Sequence, residues 1–169
     1  MMETVVIVGA GQAGDQAAAS AREHRYRGRL MVIGAEPHPP YQRPPLSKAY
    51  LSGETDAGAL MLRNVAFYRD QRVDVALDER VERLTLAEDG TGSAASVFGR
   101  TWRFDRLVLA TGAEPRRLPV PGADLNGVMN LRAITDADHL AQRLPATKNL
   151  VVVGGGFVGL EVAATANAL

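Results

Sequence analysis

Two copies of one glycine fingerprint constrain this chain more than any other feature. The first, TVVIVGAGQAG, sets Gly9, Gly11 and Gly14 in G-x-G-x-x-G spacing; the second, LVVVGGGFVGLE, repeats it with Gly154, Gly156 and Gly159. Each copy follows β-branched residues and opens an alanine-rich stretch, the strand–turn–helix context that a dinucleotide fold requires. In such a turn the middle glycine lets the backbone approach a pyrophosphate, and the third allows close helix–strand packing. The helix then offers unpaired N–H groups and a positive dipole end to the phosphates. One such spacing alone is weak, because glycine turns serve many strand–helix junctions. Two copies in the same context predict dinucleotide binding, first of all at Gly9–Gly14.

The bulk composition removes several other classes. Lys plus Arg number 19 and Asp plus Glu number 19, so the net charge is zero and no basic nucleic-acid or membrane footprint is present. The sequence has no cysteine, which excludes disulfides, thiolate metal sites and thiol redox chemistry by these residues. His24, His38 and His139 lack metal-ligand spacing and read as surface residues, so no metal is expected. No apolar run approaches the ~20 residues of a membrane span. The chain enters its first strand without a signal peptide, so a cytoplasmic protein is expected. Its 169 residues hold one ordinary domain and a second only in part.

Along the chain, Thr4–Val8 reads as a buried strand, Gln12 to about His24 as a helix and Arg29–Ile33 as a second strand. Glu36 follows at about the ~20-residue offset where an acid meets a ribose hydroxyl. Four prolines stiffen PPYQRPPLSKAYLSG, and Leu46–Leu51 can begin a short helix. Asn64–Arg72 reads as a helix and Val73–Ala76 as a strand. Val81–Leu86, Ser96–Phe98 and Thr101–Phe104 are expected to form a small antiparallel meander, with turns at Glu88–Ser93 and Gly99–Arg100. Trp102 is expected to pack within it. Leu107–Ala110 returns to a buried strand, and Thr135 to about Leu144 is helical. Leu150–Val153 and the helix from Gly156 begin a second unit, with Phe157, Leu160 and Ala164 along one side. The fold class is therefore α/β, a Rossmann-like parallel sheet with an antiparallel β-meander, plus the first strand and helix of a second Rossmann unit. A second ribose-reading acid would fall past Leu169, and the exposed apolar second unit is expected to favour self-association.

PYQRPPLSKAYLSGE, LVLATGAEPRRLPVPG, VMNLRAITDADHL and VVVGGGFVGLEVAA together resemble the ferredoxin reductase group of FAD-dependent pyridine-nucleotide oxidoreductases. That group includes the reductase components of dioxygenase and cytochrome P450 systems, rubredoxin reductases and relatives of apoptosis-inducing factor. The resemblance covers the whole chain. It implies residues 1–145 as an incomplete FAD-binding domain and 146–169 as the start of an NAD(P)-binding domain. It further implies that NADH or NADPH reduces FAD, which passes electrons to a ferredoxin or rubredoxin-type iron–sulfur protein. Disulfide reductases of the wider superfamily carry a redox cysteine pair after the first strand–helix–strand unit. Pro44, Pro45, Leu46 and Ser47 stand there in this chain.

Residue by residue, the resemblance implies that Gly9, Gly11, Ala13 and Gly14 hold the FAD pyrophosphate. The family's ribose acid aligns with Ala35, so Glu36 either reaches the ribose by a shift of the turn or is a solvated carboxylate. Arg43 and Lys48 match flavin-contacting positions, Lys48 near the flavin N5 edge. Val81 matches a backbone contact to adenine, and equally suits a strand core. Ala110, Thr111 and Gly112 pass close to the cofactor, and Arg132 matches a flavin-contacting arginine. Glu161 matches an acid near the nicotinamide that pairs with Lys48. Longer relatives add a Gly-Asp motif and a C-terminal domain. Two readings remain: the N-terminal part of a reductase, or a non-catalytic flavin- or nucleotide-binding module.

Overall fold

The computed structural model describes residues 3–169. Two compact units emerge, one from residues up to Tyr41 with Met61–Gly112, the other from Gln42–Leu60 with Ala113–Leu169.

The first unit is a parallel sheet whose inner strands are covered on both faces. Its edge strand Arg106–Leu109, expected to be buried, leaves Val108 and Leu109 exposed because no described element packs over them. Its strands are β1 (Thr4–Val8), β2 (Arg29–Ile33), β3 (Val73–Ala76) and β7 (Arg106–Leu109), and its helices are α1 (Gln12–Glu23) and α2 (Val65–Asp70). The order is β3-β2-β1-β7, all parallel. Alternation along the strands sends successive side chains to opposite faces. Ile7, Leu30, Val32 and Val73 pack with Ala18 of α1 and Tyr68 of α2. Val6, Val8, Met31, Ile33 and Ala76 face the other way, onto Ala94, Trp102 and Phe104. Those last three belong to an antiparallel sheet, β4 (Val81–Leu86), β5 (Gly92–Ser96) and β6 (Thr101–Phe104). Trp102 thus packs in the meander as expected, 8% exposed.

The chain runs outward from β1 to β3 and then returns to β7 on the other side of β1. The strand order therefore reverses at β1, and ligands of open α/β sheets bind beyond the carboxyl ends at such a point. One side chain secures the opposite end of α1. Arg22 donates from Nε to the Gln71 carbonyl (2.7 Å), from Nη1 to Tyr26 (2.8 Å) and Gly28 (3.0 Å), and from Nη2 to Arg72 (2.7 Å).

The middle meander strand is displaced from its expected place. It runs over Gly92–Ser96, not Ser96–Phe98. The first turn closes early, with Ala87 N–H donating to Thr91 O at 2.8 Å and Asp89 Oδ1 accepting from the Thr91 amide at 2.9 Å. The ladder can then start at Gly92, where any side chain would collide with the Thr85 carbonyl and the Phe104 ring. The second turn takes up Val97–Arg100, leaving Phe98 exposed. The short helix expected from Leu46 is instead a 3-10 turn at Pro44–Ser47, since two prolines fill its first turn.

The second unit holds that 3-10 turn, helix α3 (Ile134–Arg143) and helix α4 (Phe157–Ala168). Asp136 accepts from the Arg132 and Ala133 amides at 2.9 and 2.8 Å, which caps α3. Leu51, Leu140, Leu144 and Val162 form its core. The residues expected as a strand, Leu150–Val153, carry no ladder among the described residues, because no strand of this unit lies beside them. Val151, Val153, Phe157 and Leu160 are accordingly exposed.

Candidate functional site

The first glycine turn sits at the carboxyl end of β1, where the strand order reverses. Gly9 has φ +118°, and its amide donates to the Ile33 carbonyl at 2.8 Å. A side chain there would collide with the Ala110 carbonyl, and one on Gly14 would collide with the Gly9 carbonyl. Both glycines are therefore explained by packing alone. Gly11 differs. It caps α1 with φ −88° and ψ −170°, a conformation open to any residue, and a Cβ there would meet nothing within 4 Å. Neither backbone strain nor packing calls for glycine at this position. The space over Gly11 is open and lies in front of the α1 N-terminus, whose first amides can meet an anion.

Other expected cofactor residues of this unit gather at the same carboxyl edge. Ala110 N–H donates to Val8 O at 2.8 Å, bringing exposed Thr111 and Gly112 beside the turn. Ala13 is exposed in the first turn of α1. Glu36 follows β2; its Oε2 accepts from the Tyr41 hydroxyl at 2.6 Å, and its carbonyl accepts from the Asp78 amide at 3.0 Å. Glu36 is thus held in place by the loop and does not wave in solvent. Val81 opens β4 opposite Ser96, next to a register shift, and packs on the core.

The second unit brings together Arg43, Lys48, Arg132 and Glu161. They line a cavity of about 320 Å³ with Pro44, Leu46, Ser47, Leu131, Phe157 and Val158. Arg43 Nη1 donates to the Arg132 carbonyl at 2.7 Å. Lys48 Nζ lies 2.8 Å from Glu161 Oε2. The same oxygen accepts from the Ser47 hydroxyl at 2.6 Å, and Thr165 Oγ1 donates to the Ser47 carbonyl at 3.0 Å. Lys48, and after it Ser47, holds the Glu161 carboxyl below its usual value of 4.5. Tyr50 donates to Asp138 at 2.7 Å, and burial first, then that bond, pushes its phenol up to about 12.

The second glycine turn is built differently. Gly156 caps α4, and Gly159 approaches the Gly154 carbonyl as Gly14 approaches Gly9. Around Gly154 there is open space, where Gly9 has the Ala110 carbonyl.

Two groups of the candidate sites were not foreseen from the sequence. Ser47 was noted only as standing where other reductases have cysteine, yet it holds Glu161. Asp15, 3% exposed, accepts from the Tyr68 hydroxyl at 2.7 Å and from Arg63 Nε at 3.1 Å. An acid one residue after the third glycine is the only sequence signal of that cluster. Among the described residues no group of His, Asp and Glu has metal-binding geometry, and no helix is long and apolar enough to cross a membrane.

The fold and the paired glycine turns define a Rossmann-like α/β architecture, and comparison with known proteins narrows it. The pyridine nucleotide-disulphide oxidoreductase family matches residues 3–169. The chain belongs to that family. It is 44% identical over 164 residues to rhodocoxin reductase of Rhodococcus erythropolis, covering 96% of this chain and 38% of that protein. It is 40% identical over 162 residues to rubredoxin-NAD(+) reductase of Pseudomonas putida, covering 96% of this chain and 41% of that protein. Among solved structures, the ferredoxin reductase for the CYP199A2 system of Rhodopseudomonas palustris superposes with a TM-score of 0.89 at 44% identity, over 98% of this chain and 40% of that one. The chain thus spans about two-fifths of the length of these relatives.

The lowered Glu161 carboxyl gives the second unit a small acid-dependent contribution, small because the Lys48 pair that causes it is exposed. A depressed carboxyl value means that folding favours the ionised form. The stabilisation is complete above the usual value and is lost as pH falls through the depressed one. Exchange protection of the α4 amides, corrected for intrinsic rates, should therefore weaken as pH is lowered from 4.5. Glu161→Gln should abolish that dependence; a variant with the same acid profile would assign it to another group.

Proposed function

We propose that this chain is the N-terminal part of an FAD-dependent NAD(P)H oxidoreductase. As a reductase component it would pass electrons from NADH through FAD to a ferredoxin or rubredoxin-type iron–sulfur protein. The observation that carries the reading is Gly11, a glycine that neither strain nor packing requires, at the point where the sheet reverses its strand order. FAD, when bound, accepts a hydride and releases electrons singly. The chain's own contributions divide between its units. In the first, Gly9, Gly11, Ala13 and Gly14 receive the pyrophosphate, Glu36 the ribose, Val81 the adenine, and Ala110–Gly112 flank the cofactor. In the second, Arg43 and Arg132 orient the flavin, Lys48 and Glu161 set the charge near the reacting ring, and Gly154, Gly156 and Gly159 belong to the NAD(P) turn. The absence of cysteine at Pro44–Ser47 favours a single-electron acceptor over a thiol relay. Residues 1–145 would be the FAD domain and 146–169 the start of the NAD(P) domain, in a cytoplasmic protein.

A non-catalytic flavin- or nucleotide-binding module is the second reading, favoured by one observation: Leu150–Val153 has no strand partner among the described residues. The visible spectrum of the purified chain separates the two. Oxidised-flavin bands that bleach with NADH support the reductase. Bands that NADH leaves unchanged support a flavin-binding module, and a chain unable to take up FAD removes both flavin readings and leaves only the fold.

A further inference from the structure

Asp15 poses an electrostatic problem for the site just described. Its amide donates to the Gly11 carbonyl at 3.0 Å, so it stands one turn along α1 from the residue that would carry the pyrophosphate. At ~1.5 Å rise per residue, that is ~6 Å along the axis. The side chain is buried, where solvent screens it little. An uncompensated carboxylate there would oppose the positive end of α1 just where a dianionic ligand needs it. Arg63 is the compensating group. It donates to Asp15 Oδ2 at 3.1 Å, and its guanidinium lies over the Phe67 ring, 4.5 Å from the centroid. Tyr68 donates to the other oxygen at 2.7 Å but brings no charge.

We infer that Arg63 is a positioning residue for the dinucleotide, cancelling the charge of Asp15 so that the α1 N-terminus retains its attraction for the pyrophosphate. The inference rests on the FAD reading above. It separates two jobs within one cluster: Tyr68 fixes where the carboxylate lies, and Arg63 fixes what the ligand feels.

The test is FAD binding by the full 169-residue chain, followed by quenching of flavin fluorescence, with melting of the ligand-free proteins as a fold control. Arg63→Met should weaken FAD about tenfold at low salt, and the deficit should shrink as salt rises. Adding Asp15→Asn to Arg63→Met should restore affinity to within about threefold of the parent, because the opposing charge is gone. Asp15→Asn alone should tighten binding by about threefold or more. A structural pin would behave otherwise: the second substitution would not rescue the first. Arg63→Met at parental affinity, or no rescue in the double variant, overturns the inference. Should Arg63→Met fail to fold, Asp15→Asn alone decides, since the amide oxygen still accepts from Tyr68; unchanged or weaker binding then overturns it. Gly11→Val keeps this distinct from the parent reading. If Gly11→Val loses FAD while Asp15→Asn changes nothing, only the charge inference falls. If Gly11→Val binds as the parent does, or the parent binds no FAD, the FAD reading falls and this inference with it.

Discussion

Gly11→Val is expected to lose FAD while keeping its fold. The position is unstrained, with φ −88°, and a Cβ there meets no protein atom within 4 Å. An isopropyl group therefore meets no clash in the ligand-free chain, and stability should fall by no more than the poorer N-cap costs, about 1 kcal/mol. The same group would occupy the space where the pyrophosphate must approach the backbone. Affinity should fall by about 100-fold or more, or ~2.7 kcal/mol. Gly14→Ala gives the contrasting result. Its new methyl group would collide with the Gly9 carbonyl, so α1 must move away from β1. Overpacking of this kind costs about 1–3 kcal/mol, so Gly14→Ala should melt lower even without FAD. The pair of variants separates a glycine kept for a ligand from one kept for packing. Equal FAD affinity in Gly11→Val and the parent would place the cofactor elsewhere. A large loss of stability in Gly11→Val would show that the turn had been misread.

The same contrast explains what could be read from the sequence. Strands β1 and β2 were legible because they are apolar runs bounded by turns, and burial on both faces selects such runs. Strand β7 was legible from its Leu-Val-Leu run, but its expected burial fails, since Val108 and Leu109 are exposed. The meander was legible as a change to alternating residues. Its middle strand was misplaced because Gly92 and Ser93 look like turn residues. They enter the ladder because Gly92 must pass against Phe104, a contact that no local pattern encodes. Leu150–Val153 has an unmistakable strand composition and still makes no ladder among the described residues. A strand needs a neighbour, and composition supplies only half of the pair. Of the candidate site, the glycines were readable from their spacing, whereas the lysine–glutamate pairing was implied only by the family resemblance. Ser47 was not, since its role depends on α4 presenting Glu161 and Thr165 to the 3-10 turn. Asp15 was missed for a similar reason. An acid in a first helical turn usually serves the dipole from the surface, and nothing near it in sequence announces Arg63 or Tyr68.

Lys48→Ala, in the whole reductase proposed above, should slow flavin reduction by NADH about 10–100-fold while changing FAD affinity by less than about threefold. The structure sets the expectation of two unequal effects. Lys48 Nζ is 2.8 Å from Glu161 Oε2, but its side chain is 50% exposed and that of Glu161 29% exposed. An ion pair so accessible is screened and contributes little to ground-state stability or binding. An ammonium held at a fixed point can still act strongly on negative charge that develops only during hydride transfer, which raises the rate without tightening the resting complex. Glu161→Ala should produce a smaller loss. It leaves the ammonium in place but removes its anchor, and Ser47 loses its acceptor as well. Because each group orients the other, the double variant should lose less than the product of the two single losses. Stopped-flow reduction of the single and double variants, with FAD saturating, measures this directly. Losses that multiply would mean that the two residues act independently. An unchanged reduction rate in Lys48→Ala would remove the ammonium from the chemistry and leave the 2.8 Å pair as a tether between α4 and the 3-10 turn.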